Sequence, residues 1–148
     1  MDKYKQMKLP FVTTVNDEKG TEDLAIKFAK ELQNGQVIIL NGNLGSGKTF
    51  FIKKVMQQFG INYVNSPSFA IVNEYEGKIK AYHFDFYRLM NIDELLDIGW
   101  QDYLNDDEAV IFVEWGELIN EALPKERLEI FITILEGTMR KFECIIYE

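Results

Sequence analysis

Cysteine and histidine are nearly absent from this sequence. Cys144 is the only cysteine and His83 the only histidine among 148 residues. A single cysteine excludes an internal disulfide framework and a zinc site built on several cysteines. Cys144 lies in the alternating segment Phe142–Tyr147, where a small buried residue is a simpler interpretation than a nucleophile. The scarcity of these residues therefore excludes disulfide-stapled and cysteine–zinc proteins.

Long apolar runs are also missing. No stretch approaches the roughly 18 consecutive apolar residues that a membrane-spanning helix needs. The segment Met1–Lys8 is charged and lacks the apolar core of a secretion signal. No repeat or Pro/Gly/Ser-rich linker divides the chain, so we expect a single domain over residues 1–148. We also expect a cytoplasmic protein with no membrane contact.

Basic residues are fewer than acidic residues in this chain. The chain has 16 Lys and Arg against 24 Asp and Glu, which gives a formal net charge of -8. A surface of that sign repels phosphate backbones and disfavours extensive direct binding of DNA or RNA. The lysine pairs at 53–54 and at 78 and 80 are more typical of solvated surface than of a nucleic-acid patch.

The first part of the chain predicts strands alternating with helices. Phe11–Val15 predicts a short strand, and Thr21 is predicted as the N-cap of a helix that reaches about Gln33. Val37–Leu40 is a continuous apolar run, typical of a strand buried on both faces. From Lys48 the apolar residues recur at helical spacing. This order favours parallel strands connected by helices.

The second part of the chain predicts strand pairs. Phe69–Tyr75 and Lys78–Phe86 form one predicted hairpin, and Leu128–Leu135 with Arg140–Tyr147 form another. Ala109–Val113 is a further continuous apolar run. Hairpins need antiparallel pairing, whereas strand–helix alternation favours parallel pairing. The predicted fold class is therefore α/β, with a mixed parallel and antiparallel central sheet flanked by helices in three layers.

A glycine-rich segment joins the first buried strand to the second predicted helix. Gly42–Thr49 reads G-N-L-G-S-G-K-T and matches the P-loop pattern G-x-x-x-x-G-K-[ST] in full. Glycines let backbone N–H groups turn toward phosphate oxygens, and the helix start adds unpaired donors and partial positive charge. Lys48 is predicted to reach the β- and γ-phosphates, and the Thr49 hydroxyl to bind Mg²⁺. We expect a P-loop NTPase-like fold with ATP or ADP and Mg²⁺ as ligands. The predicted phosphate-binding residues are Asn43, Leu44, Gly45, Ser46, Gly47, Lys48, Thr49 and Phe50.

Two carboxylates are placed to serve this site. A P-loop NTPase needs a carboxylate near its magnesium ion, at the end of a neighbouring buried strand. Glu114 ends the apolar run Val110–Val113, and Asp85 lies late in the segment His83–Arg88. Glu114 is the firmer candidate because its strand is the more uniformly apolar. With Lys48, these two carboxylates are the predicted catalytic residues.

Two further residues of the His83–Arg88 segment each fit two roles. Strand alternation places His83 on the face of Asp85, where a structural hydrogen bond is the commoner role and general acid–base catalysis the alternative. Arg88 fits either phosphate stabilisation or a surface ion pair.

The absence of three motifs narrows the choice of nucleotide and of protein class. No N-K-x-D sequence for guanine selection is present, so we expect ATP rather than GTP. The L-S-G-G-Q segment of transporter ATPases is absent, and so is an arginine-rich lid insert of the kind found in small kinases. Three functions stay open: an ATPase, a small-molecule kinase and a nucleotide-dependent assembly module.

Four segments together resemble one family. They are Gly42–Thr49, Asn65–Phe69, His83–Leu89 and Val113–Trp115, read as the P-loop, S-P-[ST]-F, H-x-D-x-Y-R and V-E-W. In this order and spacing they resemble the bacterial TsaE family, over roughly Asp17 to Trp115. Ser68 stands where the family usually has threonine, which preserves the hydroxyl.

The resemblance implies a slow ATPase of tRNA threonylcarbamoyladenosine biosynthesis. It implies two partner proteins that attach the threonylcarbamoyl group to adenosine 37 of tRNAs reading ANN codons. Thr49 and Glu114 would hold magnesium, and Asp85 would act near the γ-phosphate or on the attacking water. By the same resemblance Glu18 and Thr21 lie near the adenine. Ser66 and Ser68 would belong to a switch loop, with Trp115 close to the site. Because the chain is acidic, we expect tRNA contact to be mainly indirect, through the protein partners.

Overall fold

The computed structural model describes residues 3–4, 11–67 and 71–148. Within these residues the chain forms seven strands, four α-helices and one 3₁₀ helix. In chain order they are β1 (Phe11–Val15), α1 (Glu18–Glu31), β2 (Val37–Asn41), α2 (Lys48–Gln57), β3 (Val72–Glu76), β4 (Lys80–Asp85), α3 (Ile92–Asp97), α4 (Trp100–Leu104), β5 (Ala109–Glu114), the 3₁₀ helix (Gly116–Ala122), β6 (Arg127–Ile134) and β7 (Arg140–Tyr147).

One mixed sheet contains all seven of these strands, in the order β1-β7-β6-β2-β5-β4-β3. β2 pairs in parallel with β5 and β6, and β4 pairs in parallel with β5. β1–β7, β6–β7 and β3–β4 are antiparallel. The predicted α/β fold with a mixed sheet is therefore confirmed. Since β2, β4 and β5 run in the same direction, their carboxyl ends meet at one edge of the sheet.

Helices cover both faces of the sheet and give the three layers. On one face, Phe28 of α1 meets Phe51 of α2 edge-to-face, with ring centroids 5.6 Å apart. On the other face, Phe84 of β4 packs edge-to-face on Trp100 of α4 at 4.8 Å. Every residue of β2 is buried, as the continuous apolar run predicts.

The predicted start of the first helix is wrong. Thr21 is not the N-cap: Asp17 has extended backbone and its carboxylate accepts a hydrogen bond from Gly20 N at 2.8 Å. That bond satisfies one of the unpaired N–H groups of the first turn, so the helix begins at Glu18. Thr21 N instead bonds to Asp17 O at 3.1 Å, which places Thr21 inside the helix, and the helix ends at Glu31 rather than Gln33.

Other boundaries differ at the ends of elements. The predicted strand Phe69–Tyr75 is observed as Val72–Glu76, and residues 68–70 lie outside the described part of the chain. The short α4 and 3₁₀ helices were not predicted, since neither is long enough to show a helical period. Cys144 is fully buried in β7, and burial raises the pKa of its thiol far above the usual range, as suits a core residue. Across the described ranges, none of the helices has the length and apolar character to cross a membrane.

Candidate functional site

The glycine-rich loop lies where β2 ends and α2 begins. Gly47 precedes the helix with a φ of 105°, a left-handed conformation that strains any residue with a Cβ. Its carbonyl accepts the first helical hydrogen bond, from Phe51 N at 2.9 Å. The backbone therefore reverses at Gly47 and directs the start of α2, with its unpaired N–H groups, toward the loop.

Gly42 is required for a different reason: neighbouring atoms lie too close to leave room for a side chain. A Cβ at this position would lie 2.5 Å from Ser46 Oγ and 2.8 Å from the backbone carbonyl oxygen of Ile132. The Ile132 carbonyl belongs to β6 and cannot swing aside as a side chain can. The loop is thus packed against the neighbouring strand through a position that admits only glycine.

Replacing Gly42 with alanine should therefore distort the loop. We expect the free energy of unfolding to fall by about 1–3 kcal/mol, the usual cost of overpacking. Chemical denaturation measures this change. A double-mutant cycle with Ser46→Gly, which removes the nearer contact, should show favourable coupling between the two substitutions. A Gly42→Ala variant as stable as the wild type would show that the loop is not held in this way.

Lys48 is held inside the site by two contacts. Its ammonium donates a hydrogen bond to the Gly42 carbonyl, and Nζ lies 3.6 Å from the centroid of the Trp115 ring. Burial lowers the pKa of Lys48, although the charges of Glu114, Glu117 and Asp85 oppose the change. The cation is thus costly to keep in the folded chain, and an anionic ligand would offset that cost.

Thr49 and Glu114 are brought together by the pairing of β2 with β5. The Thr49 hydroxyl lies 3.0 Å from Glu114 Oε1 and 2.8 Å from Oε2, and Ser66 Oγ lies 2.8 Å from the same hydroxyl. Neighbouring ligands in an octahedron with bonds of about 2.1 Å are about 3.0 Å apart, which is the geometry that Mg²⁺ demands. The Thr49 hydroxyl donates a hydrogen bond to the Glu114 carboxylate, and the two groups are close enough to be adjacent ligands of one ion.

Asp85 lies beside Glu114, because the two residues are paired in the register of β4 and β5. The Asp85 carboxylate is half-buried and accepts a hydrogen bond from Tyr87 N at 2.9 Å. Burial raises the pKa of Asp85, and the charge of Glu114 raises it further. The Tyr87 N–H, His83 and Lys48 act in the opposite direction. A role for Asp85 at the site stays a prediction, with the attacking water and the metal as the two alternatives.

His83 contacts Glu114 rather than Asp85. Nε2 of the fully buried ring lies 2.6 Å from Glu114 Oε2. Strand alternation correctly suggested a carboxylate partner but not the residue, since the partner lies on the neighbouring strand β5. The observed contact is the structural hydrogen bond that was the commoner of the two alternatives.

A single pocket of about 360 Å³ gathers most of the predicted residues. It is lined by Leu44, Gly45, Ser46, Gly47, Lys48, Thr49, Phe50, Ser66, Pro67, Asp85, Tyr87, Arg88, Glu114 and Trp115. Asn43 faces a different cleft beside β6. Glu18 is exposed at the start of α1, and Thr21 is buried within that helix. Neither Glu18 nor Thr21 lines this pocket, and their proximity to adenine stays a prediction.

Trp115 has the most unusual backbone of the site. Its φ of 60° is the one positive value at a non-glycine position in the described part of the chain. Such conformations are strained and concentrate at functional sites. The ring packs against Tyr87, with centroids 5.1 Å apart, as well as over Lys48. The resemblance predicts Trp115 near the site. The family patterns also contain Tyr87 and Pro67, but the sequence assigns neither of them a role there.

Arg140, the first residue of β7, also contacts the glycine-rich loop. Its Nε donates to the Ser46 carbonyl at 3.0 Å, and its Nη1 donates to the Gly137 carbonyl at 2.8 Å. The β6–β7 hairpin is thereby bonded to the glycine-rich loop, a contact between residues 94 positions apart.

The arrangement defines a class: a buried strand, a glycine-rich loop and a helix at the carboxyl edge of a mixed sheet form a P-loop-like α/β protein. The family model described as threonylcarbamoyl adenosine biosynthesis protein TsaE matches residues 15–142, and the chain belongs to that family. The resemblance seen in the sequence is thereby confirmed.

Relatives agree with this assignment. The TsaE protein of Bacillus subtilis is 45% identical over 123 residues, which cover 80% of this chain and 74% of that protein. The TsaE protein of Rickettsia typhi is 34% identical over 130 residues, covering 86% and 89% of the two chains. The crystal structure of Bacillus subtilis YdiB matches 95% of this chain and 87% of its own, with a TM-score of 0.75 and 30% identity.

Proposed function

We propose that this chain is a slow, magnesium-dependent ATPase required for threonylcarbamoylation of adenosine 37 in tRNAs reading ANN codons. Membership of the TsaE family supports a role in tRNA threonylcarbamoyladenosine biosynthesis. The observation that carries the ATPase proposal is the Thr49–Glu114 contact beside the Gly42–Thr49 loop. Oxygen donors at magnesium-ligand spacing, next to a phosphate-binding loop and a lysine, suit a bound Mg²⁺–ATP.

Each residue has a role in this proposal. The loop N–H groups and Lys48 bind the β- and γ-phosphates and offset their charge as it shifts during hydrolysis. Thr49 and Glu114 would hold Mg²⁺, which would neutralise phosphate charge. Asp85, half-buried beside Glu114, orients or deprotonates the attacking water. Arg88 lines the pocket but is exposed, so we expect the isolated chain to turn over slowly until partners complete the site.

Turnover of ATP without any added acceptor tests the proposal. The purified chain should release phosphate from ATP with saturable dependence on Mg²⁺, and EDTA should stop the reaction. A kinase, the alternative enzyme, would consume ATP only when its acceptor is present. Absence of acceptor-free turnover over many hours, with ATP bound, would contradict the ATPase.

A nucleotide-dependent assembly module is the remaining alternative. In that case ATP binding alone would control association with the threonylcarbamoyl-transferase pair. A hydrolysis-deficient variant that binds the partners normally but does not support modification would argue against it.

We also predict that tRNA is reached mainly through the protein partners. Because the net charge is -8, the isolated chain should bind tRNA with a Kd above about 1 µM at physiological salt, the range of non-specific binding. A filter-binding titration at 150 mM salt, taken as about physiological, measures this. Submicromolar binding under those conditions would show that the chain binds tRNA directly.

A further inference from the structure

The buried pair of His83 and Glu114 has a feature that the proposed ATPase does not use. His83 is 0% exposed, and its Nε2 lies 2.6 Å from Glu114 Oε2. Its other ring nitrogen, Nδ1, is buried and has no hydrogen-bond partner among the residues that the structure describes. The ring is therefore committed to a single polar contact, and that contact is with the predicted magnesium ligand.

This pattern of contacts determines where the ring proton lies. Two lone pairs repel one another at 2.6 Å, so a proton must lie between Nε2 and Oε2. Nδ1 faces no acceptor within the described ranges. The contacts thus assign Nε2–H as the donor to the Glu114 carboxylate.

The consequence for Glu114 is geometric. The terminal torsion of a glutamate is broad, so an unsupported carboxylate samples many orientations. His83 holds Oε2 on one side, and the Thr49 hydroxyl lies 3.0 Å from Oε1 and 2.8 Å from Oε2 on the other. The Nε2–H donor and the Thr49 hydroxyl together fix the orientation of the carboxylate.

We propose that His83 is a positioning residue: its Nε2–H orients the Glu114 carboxylate toward Thr49 and so prearranges the magnesium site. This inference rests on the proposed function, because it assigns a role toward the metal of that same site. Hydrogen-bonded partners of metal-binding carboxylates commonly act in this way.

Two substitutions separate positioning from mere packing. His83→Gln can present an amide N–H near the position of Nε2, whereas His83→Leu fills the space without a donor. Phe84→Leu is the matched control, since it disturbs the packing of the same strand but lies on Trp100 rather than on Glu114. The probe is Mn²⁺ binding in the presence of ADP, read from the electron paramagnetic resonance of free Mn²⁺. Thermal unfolding of each variant accompanies it.

We expect His83→Leu to raise the Mn²⁺ Kd about 10–100-fold and His83→Gln to raise it by no more than about threefold. Phe84→Leu should leave the Mn²⁺ Kd unchanged, and metal-free ADP binding should be the same in all variants. Unchanged Mn²⁺ affinity in a folded His83→Leu protein would overturn this inference but not the proposed function. A wild-type chain that binds neither ADP nor Mn²⁺ would instead overturn the proposed function.

A measurement on the wild type keeps the inference testable if His83→Leu does not fold. Because His83 is the only histidine, the ¹⁵N spectrum of the histidine-labelled chain contains one ring. At neutral pH it should show a proton on Nε2, the nitrogen that faces Glu114, with a change at Nε2 when Mg²⁺ and ADP are added. An Nε2 that carries no proton would overturn the assignment.

Discussion

Replacing Glu114 with glutamine should reduce ATP turnover at least about 100-fold, the scale expected when one preorganised electrostatic group is lost. Glutamine keeps the shape of the side chain and an acceptor oxygen for His83, but it removes the negative charge. Glu114 is 4% exposed and contacts both Thr49 and His83, so its carboxylate is held beside the Thr49 hydroxyl. The measurement is steady-state phosphate release at saturating ATP.

The control for this prediction is the same change at an exposed acid. Glu121→Gln, in the nearby 3₁₀ helix, makes the same change in net charge at an exposed position and should leave turnover within about twofold, as is usual for surface substitutions. ADP binding without metal should survive in Glu114→Gln, because the loop and Lys48 are intact. Turnover near the wild-type value in Glu114→Gln would show that the Glu114 carboxylate is not required for ATP hydrolysis.

Replacing Lys48 with methionine should strongly reduce turnover while leaving the fold at least as stable. Methionine retains most of the apolar stem that lies against Trp115 but carries no charge. We expect turnover to fall about 10²–10³-fold, since the phosphates lose their principal cation. ATP binding should weaken at the same time, which calorimetry can measure.

The stability half of this prediction follows from the pKa of Lys48. Burial lowers that pKa, so the folded chain disfavours the ammonium relative to the unfolded chain. Removing the charge should therefore keep or raise the unfolding temperature, a trade-off typical of functional sites. Lys53→Ala on the same helix is the control and should change neither property. A marked loss of stability in Lys48→Met would show that Lys48 serves the fold rather than the ligand.

Much of this site was predictable from local sequence. The P-loop pattern specifies the backbone of 42–49, because Gly47 must adopt a positive φ and Gly42 must admit a neighbouring strand. The apolar runs before Asn41 and Glu114 predict buried strands whose carboxyl ends can meet. These features are encoded within a few residues, and the structure brings them together as expected.

The remaining features depend on contacts between distant segments. The His83–Glu114 contact requires that β4 lie next to β5, and the Arg140–Ser46 contact requires that the last hairpin reach the loop. No local period encodes either arrangement. The N-cap was misplaced for a different reason: both Asp17 and Thr21 are good caps, and only the extended backbone at Asp17 decides between them.

The central claim is that a nucleotide site built on Lys48 and Glu114 serves tRNA threonylcarbamoylation. The most direct test replaces the native gene with the Glu114→Gln variant and measures modified nucleosides in total tRNA by mass spectrometry, with Glu121→Gln as the control. Threonylcarbamoyladenosine should be lost in the Glu114→Gln cells and retained in the control cells, with both proteins present at equal levels. Normal modification in the Glu114→Gln cells would contradict the account.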